Sequence, residues 1–157
     1  MQFLTKEDIE APIEAVFAAI SDFEGFERAA LRRGVRVQRI ERKARAEALL
    51  GWEVEAKFRG KMRTIKADLV EFDTPNQMQM HSVSGGMQGS AKIELVALSK
   101  NRTRLSVDTE LSPKSLTARL MLQTMRLAKT KMTKRFKLRV ARFAEDIEDR
   151  YKSGQLS

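Results

Sequence analysis

One histidine and no cysteine set the limits on the chemistry open to this chain. Without cysteine there is no disulfide, no thiol nucleophile and no thiolate metal site. His81 sits in the run QMQMHSVS, out of phase with Met78 and Met80, so on a strand it faces away from them. The carboxylates are poor acid–base candidates, because a catalytic carboxyl needs burial or a like-charged neighbour to raise its pKa. Glu53, Glu55, Asp108 and Glu110 all alternate with apolar residues, which places them on the wetter face of a strand. With one histidine and no cysteine, carboxylates are the only kind of anionic ligand on offer, and those that alternate along the strands face outward, so no metal and no cofactor is expected. Thr109 is a polar residue in phase with the apolar set. Its hydroxyl can orient a ligand or bond to backbone, and the second is the commoner fate.

The stretch MLQTMRLAKTKMTKRFKLRV, residues 121–140, carries the other chemical signal: methionine, leucine and basic residues without an acid. On a continuous helix Met121, Met125, Met132 and Phe136 fall within about 60° of one another at ~100° per residue. Methionine adapts to irregular apolar ligands, which suits a pocket wall, although ordinary core is the plainer reading. Leu116, Leu120, Leu127 and Leu138 fall on the opposite face. Around them stand Arg119, Arg126, Lys129, Lys131, Lys134, Arg135, Lys137, Arg139 and Arg142. An apolar stripe among cations is the pattern of a helix that meets a membrane surface or a partner. A dimer seam, or packing against other helices, would use the same stripe. Arg126, Lys131, Lys134, Lys137 and Arg142 are the residues expected to meet an anionic surface. A second basic block comprises Arg28, Arg32, Arg33, Arg36, Arg39, Arg42, Lys43 and Arg45. Nucleic acid is the weaker alternative partner, because few aromatics interleave with the cations and no recognition motif is present.

The elements that must position these residues follow from period and punctuation. Residues 3–10 read as a strand. Pro12 suits a helix start, and Ile13, Val16, Phe17 and Ile20 recur at helical spacing. Ser21–Asp22 offers a second start, with Glu24 three residues after Ser21 as in a capping box. Phe23, Phe26, Ala29 and Ala30 face one side of this second helix. After Gly34 the period becomes two. VRVQRIE alternates weakly and GWEVEAKFRG cleanly, with Trp52, Val54, Ala56 and Phe58 on one face. Gly60 marks a tight turn. Ile65, Ala67 and Leu69 share the next face, and Asp73–Asn76 turns the chain. Met78 and Met80, then Ile93 and Leu95 with Ala91, then Leu105 and Val107, continue the pattern, broken at Gly85–Gly86 and Lys100–Asn101. Ser112 can cap, and Pro113 begin, a final helix that nothing interrupts before Gly154. At about 40 residues it would run some 60 Å, longer than the domain, so a bend or a late start is expected. An antiparallel sheet of about seven strands must cover its apolar face, and only the last helix is long enough to do so. The expected class is α+β: a curved sheet gripping one long helix, as a single domain over residues 1–157.

This order, together with Ile9, Ala11, Pro12, Val16, Phe17, Ile20 and Asp22 in IEAPIEAVFAAISD, resembles the START / Bet v 1-like helix-grip superfamily, and its polyketide cyclase/dehydrase-like branch in particular. The resemblance implies a hollow between sheet and helix that holds a hydrophobic small molecule, lipid- or quinone-like. Strand parity then assigns the wall to Trp52, Val54, Phe58, Ile65, Leu69, Met78, Met80, Ile93, Leu95, Leu105 and Val107, with Ala56 and Ala67 between them. The last helix adds Met121, Met125, Met132 and Phe136. Oxygenase subunits of the superfamily hold iron with two histidines and a carboxylate, a set that one histidine cannot supply. A small cyclase- or dehydratase-like enzyme remains an alternative, though no polar catalytic set stands out. An RNA- or ribosome-associated protein of the same fold is another.

The bulk properties agree with a folded chain. At 157 residues and 42% hydrophobic composition the chain can bury a core. The formal net charge of +9 favours anionic partners. No apolar run approaches the roughly 20 residues that span a bilayer. MQFLTKEDIE lacks the basic-then-apolar layout of a signal peptide. A cytoplasmic, non-enzymatic or weakly enzymatic binding protein is the leading expectation.

Overall fold

In the computed structural model, which describes residues 1–40, 49–58 and 60–156, the alternating runs form one antiparallel seven-stranded sheet. The strands are β1 (Gln2–Ile9), β2 (Arg36–Ile40), β3 (Leu50–Phe58), β4 (Lys61–Asp73), β5 (Gln77–Ser84), β6 (Met87–Ser99) and β7 (Arg102–Pro113). Their order across the sheet is β1-β7-β6-β5-β4-β3-β2. From β2 to β7 each strand lies beside its successor. β1 sits at the far edge, so the helices α1 (Ile13–Ile20) and α2 (Phe23–Arg32) carry the chain from one edge to the other. Two helices close the chain, α3 (Leu116–Arg126) and α4 (Lys129–Lys152). This is the α+β helix-grip arrangement expected from the element order.

Register puts the apolar residues on one face. Phe3 lies opposite Thr109 and Thr5 opposite Val107, Val107 opposite Ile93, Met80 opposite Leu69, and Trp52 opposite Ala67. A bulge between Leu69 and Glu71 then inserts Val70 as an extra residue. One extra residue reverses the parity of all that follows, so Phe72 comes opposite Met78. Its ring meets Phe17 at 5.1 Å and Phe23 at 6.2 Å. Gly60 and Gly85 turn two of the hairpins at φ 74° and 58°, a region that costs glycine no Cβ clash.

The core lies where α1 and the second half of α4 meet the sheet. Ile9, Val16, Met78, Leu105 and Ile147 are all but fully buried there. Thr103 donates its hydroxyl proton to the Ala11 carbonyl at 2.8 Å, fully buried, and so pins β7 to the corner between β1 and α1.

The helix ends correct two expectations and meet a third. Asp22, not Ser21, caps α2: its Oδ1 accepts from the Gly25 N–H at 3.1 Å. Ser21 instead ends α1, its hydroxyl donating to the Phe17 carbonyl at 2.7 Å, so no Ser21–Glu24 box forms. The final helix does not begin at Ser112, because β7 runs on to Pro113, paired with Met87 of β6. Ser115 is the cap, accepting from the Ala118 N–H at 3.1 Å. The expected bend is a full break at Leu127–Ala128, where the N–H groups turn back three residues, to Thr124 and Met125. No proline or glycine marks it.

Candidate ligand cavity

A cavity of about 550 Å³ lies between the inner face of the sheet, α2 and α4, within the range of small-molecule sites. The sheet contributes Val37 from β2, Trp52 and Val54 from β3, Ala67 from β4, Met78 and Met80 from β5, Ile93 from β6, and Leu105 and Val107 from β7. The helices contribute Ile20, Phe23, Phe26 and Glu27 on one side and Phe136, Arg139, Val140 and Phe143 on the other. The strands supply an apolar wall because every second residue faces it; among the described residues all the charge of the lining belongs to the helices.

Of the residues assigned from parity and helical spacing, Trp52, Val54, Ala67, Met78, Met80, Ile93, Leu105, Val107 and Phe136 line the cavity. Leu69 and Leu95 face the same way but are buried in the adjoining core. Ile65 is half-buried opposite Val54, and Ala56 is also half-buried; neither reaches the lining. The side chain of Phe58 lies outside the described residues, as do Arg42, Lys43 and Arg45. Met121, Met125 and Met132 are not on the wall. The reason is the break at residue 127, which ends the single wheel on which they shared a face with Phe136. Met125 instead packs with Ala118 and Leu122 on the buried side of α3, and Met121 and Met132 are half-buried.

Sequence reasoning missed Ile20, Phe23, Phe26, Glu27, Val37, Arg139, Val140 and Phe143. The apolar spacing of Phe23 and Phe26 was visible, but what that face met was not. Phe23 stacks obliquely on Trp52, with ring centroids 5.3 Å apart, and Phe26 meets Phe143 at 5.9 Å. The second pair bridges α2 and α4 over the cavity. Beside it Glu27 holds Arg39 in an ion pair of 2.7 Å. Arg39 stands opposite Trp52 in the register, so this cation of the edge strand is on the cavity's side of the sheet.

The remaining candidates lie elsewhere. His81 is on the outer face, opposite Asp68 and Ser90, with its Nε2 3.2 Å from the Gln79 amide nitrogen. Thr109 donates to the Phe3 carbonyl at 3.2 Å, the backbone fate expected of it. Glu53, Glu55, Asp108 and Glu110 are absent from the cavity lining.

Residues 111–144 contain ten cations and no acid, and among the described residues none of the ten forms an ion pair. On α4 the exposed Lys131, Lys134, Arg135 and Arg142 surround Leu138, on the side away from the fully buried Ile147. On α3 the leucines 116, 120 and 127 are 72%, 55% and 90% exposed, opposite the buried Ala118, Leu122 and Met125. No helix among the described residues is long and apolar enough to cross a membrane.

No curated protein matches the sequence, but the fold has solved counterparts. The structure is similar to the Zhui aromatase/cyclase from Streptomyces sp. R1128, with a TM-score of 0.64 at 12% identity over 96% of this chain and 95% of that one. It is similar to TTHA0849 from Thermus thermophilus, with a TM-score of 0.63 at 16% identity over 98% and 99% of the two chains. A START superfamily protein from Mycobacterium smegmatis shares the fold at a TM-score of 0.54 and 13% identity, over 85% and 95%. At such identities the likeness speaks for the fold alone, and it bears out the helix-grip resemblance carried by residues 9–22. The sequence profile described as "Polyketide cyclase / dehydrase and lipid transport" matches residues 2–148. That span runs from β1 into the last turns of α4, and the chain belongs to this family.

Proposed function

We propose that the chain binds a hydrophobic small molecule, lipid- or quinone-like, in the cavity between sheet and α4, and that the cationic side of α3 and α4 seats it on an anionic membrane surface. The observation that carries the reading is the wall itself: strands from β2 to β7 present only apolar side chains to a space of about 550 Å³. An acid–base enzyme would need polar groups on that wall. Among the described residues Glu27 is the one carboxylate of the lining, and Arg39 holds it.

The charge distribution supports the membrane part. Cations at a helix N-terminus oppose the macrodipole, yet Lys129 and Lys131 open α4 and no acid stands in the first turn of α3 or α4. Helix stability therefore does not explain them, whereas attraction to anionic headgroups does.

A chain-length series tests the cavity. Each buried methylene contributes about 0.8 kcal/mol, so affinity for n-alkanols should rise about fourfold per carbon until the space is full. Trp52 is the only tryptophan and lines the cavity, so its emission reports binding. An affinity that does not change with chain length would sink the reading. Native mass spectrometry after gentle purification would identify a resident ligand.

A further inference from the structure

Among the described residues two charged side chains line the cavity, and they are not equivalent. Glu27 is taken up by Arg39 at 2.7 Å. Arg139 has no carboxylate partner among the described residues, although it lines the same space. It stands one turn from both Phe136 and Phe143, which also line the cavity, so its side chain leaves α4 along the edge that borders the apolar volume. Arg135 and Arg142 occupy the neighbouring turns on either side, so like charges crowd this edge with no acid before Glu145. An apolar chamber bordered by an unopposed guanidinium is complementary to a molecule with an apolar body and one anionic end. The planar fork of arginine suits a carboxylate or phosphate, which it can hold through two parallel hydrogen bonds.

We infer that Arg139 receives the anionic head of the ligand, and that the class bound is a single-headed anionic amphiphile whose apolar part fills the space lined by Trp52, Met78 and Leu105. This rests on the cavity reading above and narrows it. The inner wall offers the body no polar partner, so orientation is fixed from the rim. Glu27 contributes to selectivity by keeping Arg39 neutralised, which leaves one net positive charge among the three.

The test compares four ligands of one chain length: decanoate, decyl phosphate, decan-1-ol and decylammonium, read by Trp52 emission and calorimetry at pH 7.4 below their aggregation limits. Decanoate or decyl phosphate should bind about tenfold or more tightly than decanol, as a charge-assisted hydrogen bond implies. The ratio between these two identifies the head as carboxylate or phosphate. Arg139→Ala should bring the preferred anion down to the level of the alcohol and leave the alcohol unchanged. Arg139→Glu should turn the preference toward decylammonium. Arg135→Ala removes an equal charge off the lining and should reduce anion affinity by no more than twofold. Equal binding of acid, alcohol and amine by the native chain would overturn the inference while leaving the cavity reading intact. The inference also fails if Arg135→Ala acts as strongly as Arg139→Ala, because a diffuse field would then suffice. If no ligand of the four binds, the cavity reading fails and the inference with it.

Discussion

Phe26 of α2 and Phe143 of α4 face each other with ring centroids 5.9 Å apart, and theirs is the aromatic contact that joins the two helices over the cavity. Phe26 is nevertheless 43% exposed, so the pair behaves as a rim rather than as core. Such a contact contributes about 0.5–1.5 kcal/mol beyond its area. Phe26→Ala is expected to lower stability by a similar amount and to raise the dissociation rate of a bound alkanol several-fold. Stopped-flow emission of Trp52 measures the rate. An unchanged rate would show that ligand leaves by another path.

The methionines separate by burial. Met78 is 1% exposed and Met125 7% exposed, while Met132 is only half-buried. Truncation of a buried methionine costs about 2–5 kcal/mol. Met78→Ala and Met125→Ala should fall in that range and Met132→Ala below it, read from urea midpoints at constant slope. Met78→Ala should also enlarge the cavity and favour longer ligands. Met125→Ala should leave ligand affinity alone, because α3 stands off the wall.

Acid pH reports on the β1–β7 edge. Arg104 donates to Asp8 at 2.8 and 3.2 Å, and Arg102 at 3.4 Å. The hydrogen bond from Arg104 holds the Asp8 carboxyl below the ordinary aspartate value; desolvation opposes it, and the attraction of both cations adds to the lowering. A carboxyl lowered on folding stabilises fully above its unfolded pKa, near 3.9, and loses that contribution as pH falls through the lowered value. Native protein should therefore exceed Asp8→Asn in stability at pH 6, by a modest amount because the pair is in water. The gap should close below about pH 4. Chemical denaturation at a series of pH values measures it, and a gap that persists at pH 2.5 would assign the effect to packing.

The opposite sign applies at the end of α4. Lys152 donates to Glu10 at 3.2 Å and lies 3.6 Å from Glu148. The bond to Glu10, then the charge of Glu148, raises the lysine above its ordinary value. That contribution is complete below the unfolded lysine pKa, near 10.4, and fades as pH rises through the raised one. Lys152→Met should be less stable than the native chain at pH 8, and the difference should vanish in strong alkali.

Vesicle binding tests the cationic side. Neutralising Lys131 and Lys134 together removes about 2 kcal/mol of attraction to an anionic bilayer, roughly a thirtyfold loss of affinity. Both are exposed and unpaired among the described residues, so Lys131→Gln/Lys134→Gln should keep the native melting temperature. Native protein should co-sediment with phosphatidylserine vesicles, ignore neutral ones, and be released in 1 M salt, where the Debye length falls to about 3 Å. Leu127→Ser should weaken binding without changing its salt dependence. Equal binding to both kinds of vesicle would exclude an electrostatic seat.

What the sequence disclosed, and what it withheld, follows from the range of the interactions involved. Strand alternation is local, so it placed Trp52, Val54, Met78, Ile93 and Leu105 on the face that carries the cavity. The bulge at Val70 breaks that local rule, and Phe72 therefore went unassigned although it packs on Phe17 and Phe23. The break at Leu127–Ala128 has no residue signature. A helical wheel drawn through it joined Met121 and Met125 to Phe136, which belongs to another helix. Arg139 was counted among solvated cations because helical period alone does not reveal which edge of α4 borders a hollow. Phe23, Phe26 and Val37 needed the crossover of α1 and α2 to bring them over β3, a long-range fact.

The division between an apolar wall on strands and charge on helices has a consequence for divergence. The wall residues of the sheet are tied into the register of its strands, where a change of volume at Trp52 or Met78 disturbs the adjoining core. Glu27 and Arg139 project from helix edges and neither is buried, so exchanging them asks for no repacking. Ligand preference in this architecture can therefore drift by single substitutions at the rim while the scaffold is held still. Relatives with closely similar sheets are then expected to differ first in the charge they present at these two positions, and only later in the shape of the chamber behind them.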